Sequence, residues 1–263
     1  MRTVTFDYNL QIEFSEPVRN HRFTVCCFPI SDNRQEIIEM NAQIEPNEFL
    51  VEGTDHFGNK YIYGNAENSH TLFGVMVTGK AKLGLCEYTD AGDEHRLGVY
   101  KAPSKYTHMG PELKKVYDLM NLADAYSNIE KSRIIMQTVN SLIEYCPGAT
   151  EVNTSAEEAL KGRKGVCQDY SHIMLALCRK AGIPCRYVVG MLIGEGASHA
   201  WVEIYDNMRW YGMDPTNLTE VNDSHVKISH GRDYDDCQIN RGVFVGCASQ
   251  TQTVSVRVEE PEA

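Results

Sequence analysis

Along the first hundred residues, apolar and polar side chains alternate. From Val4 to Phe14 an apolar residue stands at every second position, which is the period of a strand with one buried face. Similar β-rich segments follow at 22–29, 36–44, 60–64 and 71–83. The sequence DHFGN at 55–59 is typical of a turn between two of them. The pattern predicts an antiparallel β domain over residues 1–105.

The pattern changes near residues 92–111, where glycines and prolines fall close together, and we place a domain boundary there. Beyond it, apolar positions recur at helical spacing. The predicted helices lie at 112–126, at 130–145, from 155 onwards, and from Cys167 to a stop at Gly182 and Pro184. Strands are predicted at 185–193, 198–205, 208–214, 224–229, 242–247 and 252–258. Helices followed by antiparallel strands indicate an α+β domain over residues 106–263, with the helices packed on an antiparallel sheet.

The charge and the composition limit the classes of partner. The chain has 263 residues, 42% of them hydrophobic, and a formal net charge of −11. This charge disfavours nucleic acid and anionic membranes as partners, because both attract a basic surface. No run of 18 apolar residues predicts a membrane span, and the first residues do not resemble a secretory signal. Nine cysteines, an odd number without a CxxC pair, indicate reduced thiols, and we expect a cytoplasmic protein.

One cysteine stands in a segment that favours reactivity. In GRKGVCQDYSHIML, residues 162–175, Cys167 is the first residue of a predicted helix. The N–H groups and the dipole of a helix start stabilise a thiolate, and the same N–H groups can bind a developing oxyanion. Asp169 acts against a thiolate unless its side chain points away. Taken alone, a cysteine at this position is more often a packing residue, as we expect for Cys178 and Cys185.

A histidine and an aspartate complete the set. In the predicted strand from 198, the alternation places Ala200 towards the core and His199, with Trp201, on the other face. A turn of even length places Asp214 of the next strand on the face of His199, either directly opposite or on the diagonal. Cys167 is then a candidate nucleophile, His199 a candidate base and Asp214 its orienting carboxylate.

The sequence around these residues resembles the transglutaminase-like superfamily, in its bacterial branch of proposed cysteine proteases. The likeness is carried by GVCQDYSHIMLALCRKAGIPCRYVVG, SHAWVEIY and WYGMDPTN, and extends to TDHFGN and HGRDYDDCQINRGVFVG. The resemblance implies a papain-like fold, a β-rich N-terminal domain, and catalytic residues at Cys167, His199 and Asp214. It implies a cysteine hydrolase that cleaves peptide or isopeptide bonds through a thioester, with a peptide or protein as substrate and without a cofactor.

Several alternatives stay open at this stage. An amine could take the acyl group in place of water, which would give transamidation, and a scaffold role in protein binding would need no chemistry. The triad residues could instead be zinc ligands. Trp201 could shield the site or line an acyl pocket. The acidic loop GRDYDD at 231–236 lacks the glycine and the glutamate of an EF-hand loop, so we expect no metal there.

Overall fold

Helices and antiparallel sheets make up the computed structural model, which describes residues 1–90, 97–122, 125 and 127–261. The strands are β1 (Arg2–Val25), β2 (Gln35–Glu45), β3 (Phe49–Thr54), β4 (Lys60–Ala66), β5 (His70–Leu83), β6 (Glu144–Tyr145), β7 (Lys164–Gly165), β8 (Cys185–Leu192), β9 (Gly194–Gly196), β10 (His199–Asp206), β11 (Arg209–Asp214), β12 (Thr219–Glu220), β13 (His225–Gly231), β14 (Asn240–Val245) and β15 (Gln250–Glu259). The helices are α1 (Leu97–Lys101), α2 (Pro111–Leu119), α3 (Asn128–Leu142), α4 (Ala156–Gly162) and α5 (Cys167–Lys180). The predicted α+β class is confirmed.

The first sheet is built around the long strand β1. The first half of β1 pairs with β5 and β15, and its second half pairs with β4 and β14. The strands predicted at 3–14 and 22–29 are therefore one strand, which ends at Val25. Its pairing register shifts between Glu13 and Val18. Pro17 lies in this stretch, and a proline cannot donate a ladder hydrogen bond. Alternate side chains of β1, such as Phe6 and Leu10, are buried as the alternation predicts.

Two strands from the C-terminal part of the chain complete this first sheet. β15 lies between β1 and β9, and β14 pairs with the second half of β1. The division at residue 105 stays a prediction, and residues 92–96 of the predicted boundary lie outside the described residues. The strand β3 was not predicted from the sequence.

The second sheet carries the helices on one face. Its order is β12-β11-β10-β8-β13, all antiparallel. Ala200, Val202 and Ile204 belong to the core cluster that also contains the apolar side of α5. The helix predicted over 112–126 is shorter: α2 ends at Leu119 because Met120 adopts an extended conformation, and residues 123, 124 and 126 lie outside the described ranges. No helix in the described part of the chain is long and apolar enough to cross a membrane.

The other face of the second sheet is covered by segments from the N-terminal part of the chain. The side-chain amide of Gln35 donates to the Lys227 carbonyl and accepts from the Lys227 N–H, both at 2.8 Å. Asn59 forms the same two-way pair with the backbone of His230, at 2.7 and 2.8 Å. Both amides therefore satisfy backbone groups of the edge strand β13 as a neighbouring strand would. The face that we expected to point away from the core is buried.

An ion cluster lies in this buried face. The Glu203 carboxylate accepts from Arg186 Nε at 2.6 Å and from Lys227 Nζ at 3.0 Å, and all three side chains are almost fully buried. Burial would raise the pKa of Glu203, but the two cations outweigh it and lower the pKa. Arg186 also binds Asp90 at 2.5 Å, and Lys227 lies 4.0 Å from Asp32. Glu203 is therefore the carboxylate that the two cations share, and removing it leaves their buried charges undercompensated.

Substituting Glu203→Gln should lower the free energy of unfolding by about 3–5 kcal/mol, because the two buried cations lose their shared anion. Urea unfolding at neutral pH measures this loss. The exposed pair Lys82–Glu36, at 3.2 Å, supplies the control, and Glu36→Gln should cost about 0–1 kcal/mol. Equal small losses in both variants would show that the buried cluster does not stabilise the fold.

Candidate active site

Cys167 is the first residue of α5, as predicted, and its thiol is half-buried. The carboxylate of Asp169 turns back from the thiol: its Oδ2 accepts from the Val166 N–H at 2.8 Å and from the Thr150 hydroxyl at 2.7 Å. These two donors stabilise the negative charge of Asp169, which reduces its repulsion of a thiolate on Cys167. Gly165 is required beside it, since a Cβ there would lie 2.6 Å from Asp169 Cβ.

The hairpin β10–β11 brings the histidine and the aspartate together. Its turn consists of Asn207 and Met208, both with positive φ, of 46° and 63°. Val202 pairs with Met213, and this register is the one in which Asp214 lies diagonal to His199. The even-length turn predicted from the sequence is confirmed, although the turn comprises two residues and the strands pair as far as Asp206 and Arg209.

His199 lies near both other residues of the predicted set. Its Nε2 lies 2.8 Å from Asp214 Oδ2, and the Cys167 thiol is close enough to act on the pKa of its ring. Because Nε2 faces the carboxylate, Nδ1 is the ring nitrogen left for the sulfur. Burial acts to lower the pKa of His199, but the interactions with Asp214 and Cys167 outweigh it and raise the pKa to about 9. The imidazole is therefore held in its charged form at neutral pH.

Asp214 is fully buried and accepts five hydrogen bonds. Its Oδ1 accepts from the backbone N–H groups of Thr216 and Asn217, at 3.0 and 3.1 Å. Its Oδ2 accepts from the Asn217 amide at 2.8 Å and lies 2.8 Å from His199 and 3.3 Å from His225. Burial would raise the pKa of this carboxyl, but the donors outweigh it and hold the pKa well below its ordinary value. Asp214 is therefore ionised at every pH near neutrality.

Sequence reasoning missed two of these partners. Asn217 belongs to the quoted segment WYGMDPTN, and an aspartate followed three residues later by an asparagine is a usable turn signal. No local sequence pattern marks His225 as a partner of Asp214. Its strand, β13, pairs with β8, so the distance between His225 and Asp214 depends on the arrangement of the whole sheet.

Trp201 packs beside the two imidazoles, and the substrate contact that the sequence suggested for it stays a prediction. Its side chain is fully buried. The indole packs edge to face against His225, with ring centroids 5.3 Å apart, and lies 6.2 Å from His199. Gly190 allows this packing, because a Cβ there would lie 2.3 Å from the indole. Trp201 therefore covers part of both imidazoles, and its role in shielding the site also stays a prediction.

A tyrosine lies near the start of α5. Tyr145 of β6 pairs directly with Gly165 of β7, two residues before Cys167, and its side chain is exposed. The electrostatic influence of Cys167 contributes to the raised pKa of Tyr145, after the larger effect of partial burial. Tyr145 is thus an exposed aromatic residue near Cys167.

The remaining candidate residues have structural roles. Cys178 and Cys185 are buried, as predicted, and all nine cysteines are free. In the acidic loop, Asp236 binds Arg232 at 2.8 Å, and Asp235 binds Tyr106 at 3.0 Å and Lys105 at 2.6 Å. Within the described ranges, no group of three or more His, Cys, Asp or Glu residues is placed to hold a metal ion.

Curated relatives match part of the chain. The chain is 37% identical to an uncharacterised protein of Mycobacterium leprae over 128 residues, which cover 45% of this chain and 46% of that protein. It is 30% identical to an uncharacterised protein of Mycobacterium tuberculosis over 147 residues, 50% of this chain and 46% of that protein. The matched part thus spans about half the length of these relatives.

A solved structure shares the fold. A crystal structure described as that of a proposed cysteine protease from Cytophaga hutchinsonii superposes with a TM-score of 0.82. The match covers 99% of this chain and 91% of that chain at 23% sequence identity. This likeness shows the fold that the sequence predicted.

Two family models match in succession. Residues 4–82 match the bacterial transglutaminase-like N-terminal region, and residues 119–215 match the transglutaminase-like superfamily. The second match contains Cys167, His199 and Asp214 and ends before His225. With the fold and the arrangement of these side chains, the two matches show that the chain belongs to the transglutaminase-like superfamily, a family of cysteine-dependent hydrolases and transamidases.

Proposed function

We propose that the protein is a cysteine hydrolase that cleaves peptide or isopeptide amide bonds through a thioester intermediate. One observation supports this proposal most directly: the His199 imidazole lies 2.8 Å from the buried Asp214 carboxylate, and both this carboxylate and the Cys167 thiol raise its pKa. The thiol lies at a helix start and stays partly accessible, while the carboxylate is buried behind the imidazole. This order of nucleophile, base and orienting acid is the arrangement that nucleophilic catalysis requires.

The proposed steps follow from these contacts. The starting state is a thiolate–imidazolium pair, because the raised pKa of His199 keeps its ring charged at neutral pH. The thiolate of Cys167 attacks the carbonyl carbon of the substrate amide, and N–H groups of the first turn of α5 would stabilise the oxyanion. The imidazolium then gives its proton to the leaving amine, and the C–N bond breaks to leave a thioester on Cys167. The neutral imidazole takes a proton from water, the hydroxide attacks the thioester, and the carboxylic acid product leaves as the thiolate–imidazolium pair is restored.

Asp214 would act through the imidazole. Its negative charge stabilises the imidazolium form of His199, and its Oδ2 fixes the ring so that Nδ1 faces the sulfur. Trp201 and the N-terminal segments that cover this face keep water from the carboxylate, which strengthens the interaction.

At pH 7, iodoacetamide should alkylate Cys167 faster than the exposed thiol of Cys247, because His199 supports the Cys167 thiolate. Peptide mapping by mass spectrometry after timed quenching measures both rates. In the variant His199→Ala, Cys167 should no longer be alkylated faster than Cys247. The variant Cys247→Ser should leave the labelling of Cys167 unchanged. Equal rates at the two cysteines in the native protein, as in a denatured control, would favour the scaffold role over catalysis.

Asp214→Asn should lower kcat/KM by about 10³–10⁴-fold, since the imidazole loses its anion and its orientation. In the native protein the rate should fall as the pH rises through about 9, where His199 loses its proton. In Asp214→Asn this alkaline limb should move to lower pH, because the raised pKa depends on the carboxylate. Glu220→Gln is the matched control: this exposed carboxylate lies on β12, beside β11, and its loss should leave the profile unchanged.

A further experiment tests whether water or an amine accepts the acyl group from Cys167. The protein is incubated with an activated peptide ester or a glutamine-containing peptide, with and without an added primary amine. Release of free acid at the same rate with and without the amine is the expected result. Formation of the amine-linked product in place of the acid would assign the protein to the transamidases.

A further inference from the structure

Asp214 carries a second imidazole besides that of His199. His225 is the first residue of β13, and its buried Nε2 lies 3.3 Å from Asp214 Oδ2, the oxygen that also faces His199. Because the carboxylate is ionised, it can only accept, so Nε2 of His225 must carry a hydrogen. In the neutral ring, Nδ1 then has a lone pair that can accept from the Asn222 backbone N–H at 3.4 Å, whereas a charged ring would donate from Nδ1 to the Asn222 side-chain oxygen at 3.3 Å.

The surroundings of His225 favour its neutral form. Burial lowers the pKa of His225, and the nearby charges of His199 and Arg34 act in the same direction, which outweighs the contact with Asp214. The charged or titratable groups that act on the pKa of His225 include Asp214, His199 and Arg34. The two imidazoles on Oδ2 therefore differ in charge: His199 is held as the cation and His225 as a neutral donor.

Packing fixes the direction of this donor. The edge-to-face contact with Trp201, at 82° between the ring planes, holds the His225 ring in place. The centroids of the two imidazoles are 6.4 Å apart, and both rings reach the shared oxygen. His225 is thus the third donor on Oδ2, after the Asn217 amide and His199.

We propose that His225 is a positioning residue that acts through Asp214: its neutral Nε2–H fixes the rotation of the carboxylate and limits the negative charge that Oδ2 presents to His199. The role rests on the proposed function, in which His199 must both take and return a proton. A carboxylate that attracted the imidazolium more strongly would slow the return of that proton to the leaving amine. His225 therefore balances the basicity of His199 against its ability to act as an acid.

The protonation state of His225 is tested first in the native protein, by ¹⁵N NMR of the imidazole nitrogens, with His225→Gln to assign its signals. At pH 7 we expect a neutral ring with the hydrogen on Nε2. A ring that carries its hydrogen on Nδ1, or that is charged at this pH, would overturn the proposal without any need for a variant of altered stability.

The second test measures the pKa of His199 by the same method in His225→Phe, which keeps an aromatic ring against Trp201 and removes the N–H donor. The pKa should rise by about one unit, because Oδ2 regains charge when a donor is lost. His225→Gln, which retains an N–H donor, should restore the native value. If the phenylalanine variant does not fold, His225→Leu takes its place.

A purely structural role predicts a different result: lower thermal stability in the apolar variants with an unchanged pKa of His199, and this result would refute the proposal. With an active substrate in hand, the apolar variant should also lower kcat about tenfold with little change in KM, as expected for loss of a group that orients another. The NMR readouts need no turnover. A protein without hydrolytic activity would therefore refute the proposed function and leave the inference about His225 to be decided separately.

Discussion

The permanent charge of one buried carboxylate organises the candidate site. Asp214 lies at the end of β11 and is fully buried, yet it accepts hydrogen bonds from two backbone amides, an asparagine and two histidines. An isolated carboxylate at this depth would take up a proton to avoid the cost of desolvation. The five donors prevent that, and the resulting anion raises the pKa of His199. Both the charge of the imidazole and the direction of its Nδ1 towards Cys167 follow from this carboxylate.

The second constraint is the burial of the sheet face that bears these residues. On β10, the helix-facing side chains are apolar, and the opposite face carries His199, Trp201 and Glu203. Such a polar face would be expected to meet water, but segments that carry Gln35 and Asn59 cover it and pair with the edge strand. The low dielectric under this cover strengthens the interaction of His199 with Asp214 and of Arg186 with Glu203. The N-terminal region therefore contributes to the electrostatics of the site.

Local patterns in the sequence predicted much of this arrangement. The alternation in β1, the start of α5 at Cys167 and the parity of His199 and Asp214 depend on neighbouring residues, and all three are found in the structure. The strand β3 was not predicted, because its side chains Phe49, Leu50 and Val51 are all exposed and no alternation marks a buried face. Its pairing with β4, the return of β15 to β1 and the approach of His225 to Asp214 are set by distant parts of the chain. A pattern read over a dozen residues does not contain that information.

The pairing of β1 with β15 has a consequence for how the protein is made. Thr5 and Glu259 are partners although they are 254 positions apart, and β9, three residues before His199, pairs with β15 in turn. During synthesis on the ribosome, one side of β1 therefore stays without its partner until β15 has emerged. Contacts of such long range slow folding and leave a strand edge open to other chains. The nascent protein should accordingly benefit from molecular chaperones that shield this edge until β15 has paired with it.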